Sequence, residues 1–265
     1  MSLMINTNTD AIVAHNNLVN TNLNLSAAMR DLSSGLRINT AADDAAGYAI
    51  VQDLTGQVNG LQQASSNAQD AVSMVQTADG TLNDVEQMLQ RIRELAVEYG
   101  NGTNAAADLS AIQSEVDQLT TEITRVGNTA QFNGIFLFSG ATPTVSFQIG
   151  ANDGDVIAVG TANMSTMVGS VTLGGATTLS TIDGYINAVA SQAASFGAVQ
   201  NRLSYTLDNL STYSENLTSA QSSIQNIDMA AEETTFTKNQ ILEQAGVSML
   251  AQANQSPQMM LKLLG

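Results

Sequence analysis

Cysteine is absent from the chain, which excludes a disulfide framework and any thiolate metal site. Basic residues are scarce: Lys and Arg total 8 against 24 Asp and Glu, a formal net charge of −16 over 265 residues. That balance argues against a nucleic-acid partner, because phosphate would be repelled. Histidine occurs once, at His15 among asparagines, so a zinc site built on imidazole has no second ligand. Long apolar runs are missing too. No window reaches the roughly 18 apolar residues needed to span a bilayer, so no membrane insertion is expected. The opening Met1–Asn8 lacks the basic and apolar regions of a cleaved signal peptide, and by these signs alone the chain reads as cytoplasmic.

The charge that is present is unevenly placed. In residues 1–42, Arg30 and Arg37 balance Asp10 and Asp31. Residues 222–265 sum to −2, which leaves −14 for the middle of the chain. Near-neutral ends can pack against copies of themselves without like-charge repulsion, whereas the middle is suited to solvent.

A seven-residue apolar period, characteristic of coiled coils, is sustained well beyond an ordinary globular helix. Leu54, Leu61, Ala68, Val75, Leu82, Leu89 and Ala96 share one heptad position, with Ala64, Ala71, Ala78, Val85, Ile92 and Tyr99 on another. This predicts a rod of roughly 70 Å, stopped by Gly100-Asn101-Gly102. Leu109, Ile112, Val116, Leu119, Ile123 and Val126 then step by threes and fours to Gly127-Asn128, a second helix that folds back as a hairpin. In the C-terminal half Ile182, Val189, Phe196, Leu203, Leu210, Leu217 and Ile224 repeat every seven residues, with Ile186, Ala193 and Leu207 beside them. The extreme ends repeat the theme more weakly, through Ile5, Ile12, Val19, Leu18, Leu25, Met29, Leu32 and Leu36, and through Leu242, Ala245, Met249 and Ala253. Asparagine is heavy in the N-terminal arm, and as a poor helix former it implies that this arm needs a partner surface. Both arms are therefore expected to be disordered in the free monomer.

Between the rods, residues 128–178 turn to Gly, Thr, Val and Phe, with alternation as in Val145-Ser146-Phe147-Gln148-Ile149. Turn signals at Asn133-Gly134, Asn152-Asp153-Gly154 and Gly174-Gly175 separate expected strands Ile135–Phe138, Val145–Ile149 and Val156–Val159 in one small sheet patch. The fold class that follows is mainly α: long antiparallel coiled-coil helices with a small β-hairpin cap between the N- and C-terminal halves. Both termini are expected together at one end.

Several blocks resemble bacterial flagellin in that family's order. They are Leu32-Ser33-Ser34-Gly35-Leu36-Arg37-Ile38-Asn39 followed by Ala42-Asp43-Asp44-Ala45-Ala46-Gly47, Gln90-Arg91-Ile92-Arg93-Glu94-Leu95-Ala96-Val97, Gln131-Phe132-Asn133-Gly134 and Gln148-Ile149-Gly150-Ala151-Asn152-Asp153-Gly154. On the C-terminal side stand Ser195-Phe196-Gly197-Ala198-Val199-Gln200-Asn201-Arg202-Leu203, Glu215-Asn216-Leu217 and Leu250-Ala251-Gln252-Ala253-Asn254-Gln255-Ser256-Pro257-Gln258. The resemblance covers nearly the full chain. It implies a structural subunit of the flagellar filament for swimming motility, with an inner domain from residues 1–43 and 222–265 and an outer helical-rod domain from 44–221. Many flagellins insert large central domains, which this chain lacks, so a thin and relatively smooth filament is expected.

The same resemblance implies export through the flagellar type III apparatus on an uncleaved signal, which reverses the cytoplasmic reading and places the protein outside the cell. It implies as partners further copies of the chain, a chaperone at the C-terminal arm, and the filament cap and hook-associated junction proteins. The polymerisation contact is expected at Ile5, Ile12, Leu18, Leu25, Leu32, Leu36 and Arg37 with Leu242, Met249, Leu250, Leu261 and Leu264. Gln90, Arg91, Leu95 and Glu115 match positions contacted by the flagellin-sensing Toll-like receptor in recognised flagellins. Leu119 stands where those flagellins commonly carry Arg, a change that removes one charge and five donors.

No residue constellation points to catalysis, and neither cofactor nor metal is expected. Asp43-Asp44 could be a carboxylate pair, but Thr40-Ala41-Ala42-Asp43 has the spacing of a capping box at a helix start, so capping or a turn is expected there. Gly150 and Gly154 lie in a β-turn context rather than between a strand and a helix, so a phosphate-binding loop is not expected there. Arg91 and Glu94 are helical neighbours on a solvated face. The 11 methionines suit adaptable packing or ordinary core filling. A hook–filament junction protein and a non-flagellar coiled-coil tether are the alternatives, distinguished by the central motifs and the paired terminal blocks respectively.

Overall fold

The computed structural model describes residues 7–141, 144–174 and 179–264, with side chains described as far as residue 255. Ile5 and Gly175, and the side chains of Met259, Met260, Leu261 and Leu264, lie outside the described residues. The element order is α1 (Thr9–Ser34), α2 (Ala45–Tyr99), α3 (Ala106–Thr129), β1 (Gln131–Phe132), β2 (Ile135–Phe136), β3 (Thr144–Gln148), β4 (Val156–Gly160), α4 (Met164–Met167), α5 (Leu179–Gln225) and α6 (Met229–Leu264). Two compact units divide the chain, one from Met1–Gly56 with Leu217–Gly265 and the other from Gln57–Asn216.

In the unit of residues 57–216 the heptads become a core. Ala68, Val75, Leu82 and Leu89 from one α2 seam, and Ala71, Val85 and Ile92 from the other, are fully buried. They share a cluster with Ile112, Val116 and Ile123 of α3 and with Ile182, Val189, Phe196 and Leu203 of α5. Arg93 near the end of α2 meets Asp183 near the start of α5, while Leu61 lines the same groove as Tyr205 and Tyr213, so these two helices run antiparallel.

The β region differs from the single patch expected. It forms two separate two-stranded antiparallel sheets, β1–β2 and β3–β4. Asn133 and Gly134 both take positive φ, 48° and 81°, the geometry of a two-residue hairpin turn, and the turn pairs Phe132 with Ile135. Strand pairing ends at Phe136 rather than Phe138 because Leu137 and Phe138 turn into the core, where Phe138 meets Phe196 edge-on at 6.3 Å between ring centroids. Polar side chains on the helices hold the irregular segments: Asn67 donates to the Gln148 carbonyl at 2.9 Å, and Gln113 accepts from the Leu173 N–H at 2.7 Å. The one-turn α4, capped by the Asn163 side chain accepting from the Ser165 N–H, has no periodicity to announce it.

In the unit formed by the chain ends, α1 packs on α6. Asn8 caps α1 by accepting from the Ala11 N–H, and its amide donates to the Ala253 carbonyl at 2.9 Å. Gly35 ends α1 at φ 70°, returning its N–H to the Asp31 carbonyl at 2.8 Å, a left-handed cap that a side chain would strain. Of the capping or turn role expected at Thr40–Asp43, the turn is what forms, because α2 begins only at Ala45. Asp43 closes the preceding turn by accepting from the Thr40 N–H and hydroxyl and the Asn39 N–H. Asp44 is the residue that caps α2, accepting from the Ala46 and Gly47 N–H groups at 3.0 Å.

Candidate self-assembly surface

The arms bury little of what they carry. Ala28 is the one buried residue of α1. Ile12, Val13, Val19, Leu23 and Met29 of α1 are exposed, as are Ile241, Leu242, Val247 and Met249 of α6, with Leu23 64% exposed. Between the helices runs a groove of about 450 Å³ lined by Val13, Leu18, Leu242, Gly246 and Met249, with Asp10 on its wall. Exposed apolar surface of this extent on paired amphipathic helices marks a contact surface.

Sequence-expected residues divide across that surface. Leu18, Leu25, Leu32, Leu36 and Leu250 are half-buried, whereas Ile12, Leu242 and Met249 are exposed. Arg37 is positioned differently from the apolar set. Its backbone N–H donates to the Gln225 carbonyl at 2.6 Å, and its Nη2 donates to the Ile224 carbonyl at 2.6 Å, so it closes the C-terminal end of α5. A cation there also meets the negative end of the helix dipole. Ile227 donates to the Gly35 carbonyl, and Asp228 then caps α6 by accepting from the Ala230 and Ala231 N–H groups. Sequence reasoning missed this break between α5 and α6, although an Asp directly before an apolar helix is a start signal.

The second expected set lies on α2 and α3. Arg91 Nη2 pairs with Glu115 Oε1 at 3.0 Å, and its Nη1 pairs with Glu94 at 3.2 Å. Hydrogen bonds donated to Glu115 first and to Glu94 second hold the guanidinium above its ordinary pKa. Gln90 is exposed and donates to Glu86. Leu95 corrects the expectation, because it is only 2% exposed and belongs to the core shared by α2, α3 and α5. It lies on α2 between the seam residues Ile92 and Ala96, and a side chain sealed in the core there is not presented at the surface. Leu119 packs half-buried against the same core, as its helical spacing with Val116 and Ile123 requires.

Among the described residues no grouping of His, Asp and Glu has metal-holding geometry, and no helix is long and apolar enough to cross a membrane.

Comparison with known proteins gives the surface its context. The bacterial flagellin N-terminal helical region matches residues 5–142, and the bacterial flagellin C-terminal helical region matches residues 179–264. A flagellin of Halalkalibacterium halodurans is 45% identical, the alignment covering 99% of this chain and 100% of that one. The flagellar filament 33 kDa core protein of Treponema phagedenis is 42% identical over 99% of this chain and 100% of its own. Among solved structures, the crystal structure of Bacillus cereus flagellin has 32% sequence identity and a TM-score of 0.50, covering 55% of this chain and 88% of that chain. Helical regions matched at both ends and relatives aligned over their full length establish that the chain belongs to the bacterial flagellin family.

Proposed function

We infer that this chain is a structural subunit that polymerises with copies of itself into the bacterial flagellar filament, outside the cell. The observation that carries the reading is the pair of arms, α1 and α6, nearly neutral and lined with exposed apolar side chains that their own packing leaves uncovered. Burying such a side chain against a neighbour contributes roughly 1.5–3 kcal/mol. Ordering one residue of backbone costs roughly 1–2 kcal/mol, so arms whose apolar side chains are mostly half-buried or exposed alone gain further stability on assembly. Folding coupled to polymerisation follows, through a heterologous interface that does not close on itself and so builds an open helical tube.

In this reading residues 1–43 and 222–265 form the inner domain and 44–221 the outer one. Ile12, Leu18, Leu25, Leu32, Leu36, Leu242, Met249 and Leu250 supply the contact, with Ile5, Leu261 and Leu264 continuing it, and Arg37 holds the α5 end in place for it. Export proceeds through the flagellar type III apparatus without a cleaved signal, aided by a chaperone at the C-terminal arm. The filament cap and the hook-associated junction proteins are the other contacts. Gln90, Arg91 and Glu115 present a surface suited to an innate receptor of the Toll-like class, and Leu95 supports it from beneath.

Seeded elongation tests the central reading. Purified full-length chain added to sheared filament fragments is expected to extend them into long filaments visible by electron microscopy. A chain that stays monomeric under every seeding and salt condition would sink it.

A further inference from the structure

With no cysteine in the chain, sulfur oxidation falls on methionine. The described methionines are sorted by unit. Met74 and Met164, in the unit of residues 57–216, are 1% and 2% exposed, and Met88 and Met167 of that unit are half-buried. Met29, Met229 and Met249, in the unit formed by the chain ends, are 56%, 49% and 64% exposed. Oxidation follows access, so a peroxide meets thioethers on the arms well before those in the core.

Location gives that selectivity a consequence. Met249 lines the groove between α1 and α6 beside Val13, Leu18 and Leu242, with Asp10 in the same wall. Met229 is the first residue of α6, and Met29 lies on α1 one turn before its end. A sulfoxide replaces a flexible apolar group by a strong acceptor. At Met249 the groove also carries Asn17 and Thr21, the Thr21 hydroxyl already donating to the Asn17 carbonyl at 2.9 Å. A sulfoxide oxygen covered there among apolar groups and a carboxylate therefore gives up its hydration for at most the Asn17 amide.

We propose that Met29, Met229 and Met249 form a peroxide-sensitive modification site on the unassembled subunit, and that their conversion to sulfoxides blocks self-assembly until it is reversed. The proposal rests on the self-assembly reading above. In the reaction a sulfur lone pair attacks one peroxide oxygen, the S–O bond forms as the O–O bond breaks, and the departing oxygen leaves with both protons as water. Sulfur loses two electrons and the peroxide gains them. Methionine sulfoxide reductases, one for each sulfoxide epimer, return the thioether with two electrons and two protons from a dithiol, which becomes a disulfide as the sulfoxide oxygen leaves as water. Once subunits are assembled, the covered arms exclude the oxidant, so the free subunit is the sensitive form.

The test compares full-length wild type with the M29L/M229L/M249L variant, each untreated or exposed to hydrogen peroxide, followed by peptide mass spectrometry and seeded elongation. Untreated wild type failing to elongate would count against the self-assembly reading itself. Given elongation, the arm methionines are expected to gain oxygen at least about tenfold faster than Met74 and Met164 in free subunit, and markedly slower in filaments. Treated wild type loses elongation, the pair of reductases with a dithiol restores it, and peroxide leaves the variant at its own untreated rate, whatever leucine at contact position 249 does to that rate. Because that variant retains Met1, Met4, Met259 and Met260, its resistance assigns the effect to the three residues replaced. Equal oxidation of Met74 and Met164, undiminished elongation of treated wild type, or a treated variant as impaired as treated wild type overturns the proposal. Should the variant fail to elongate untreated, the peptide map of the reductase arm decides: recovery that tracks loss of the added oxygen at Met29, Met229 and Met249 upholds the proposal, and recovery that tracks other methionines, or persistent loss, overturns it.

Discussion

Two helical glycines show how the same substitution takes opposite signs. Gly80 sits exposed on α2 with nothing within 4 Å of where a Cβ would stand, whereas at Gly127 on α3 that Cβ would collide with the Met164 side chain. Gly80→Ala is expected to raise stability by about 0.5–1 kcal/mol through backbone entropy alone. Gly127→Ala gains the same propensity but must displace a buried side chain, costing about 1–3 kcal/mol, and the loss wins. Urea titration of the free subunit, read on both variants, checks the pair. Asp43 gives a pH prediction. Hydrogen bonds from the Thr40 N–H first, and then from its hydroxyl, hold the carboxyl below its ordinary 3.8. A lowered folded-state pKa means that the turn has its full stabilisation above about 3.8 and loses it as pH falls through the lower folded value. Amide exchange at Asn39 and Thr40 should therefore lose protection in that window, and Asp43→Asn should remove the dependence.

At the scale of elements, the break between α5 and α6 is held by groups from distant sequence. Arg37 donates to the Ile224 carbonyl, and Ile227 donates to the Gly35 carbonyl, so one strap of chain closes the end of one helix and starts the next. Arg37→Ala is expected to cost about 1 kcal/mol and to speed exchange at the Asn226 and Ile227 amides. Arg37→Lys should recover only part, since an ammonium keeps the charge but not the planar fork. The half-exposed pair Arg93–Asp183 offers a contrast, since exposed ion pairs contribute about 0–1 kcal/mol and Arg93→Ala should leave urea unfolding nearly unchanged. The helices themselves were legible because their apolar seams persist over many turns. Illegible were α4, only four residues long, and the strand Gln131–Phe132, which are too short for either period to register.

For the whole molecule, coupling of folding to assembly separates the two units. Deleting residues 222–265 should abolish filament growth, because the α6 half of the apolar surface is gone. The unit of residues 57–216 should still unfold cooperatively, since its core from α2, α3 and α5 is untouched. Sedimentation and thermal unfolding of the truncated chain check both halves, and pelletable filaments from it would contradict the assignment. Hydrogen exchange on dilute monomer should find α1 and α6 weakly protected and the buried α2 seam strongly protected.

The sequence by itself determined the long helices, the position of the β region and the family, because heptad seams and motif blocks are written in consecutive residues. Only the tertiary structure decided which seam residues are covered and which are left outward. Leu95 and Met249 read alike as apolar helix positions, yet one is sealed in a three-helix core and the other stands open beside a groove. Arg37 likewise gained its capping role from a helix end nearly two hundred positions away in the chain. Periodicity fixes the face on which a side chain lies, but whether that face meets another element depends on contacts between residues remote in sequence, which no local pattern encodes.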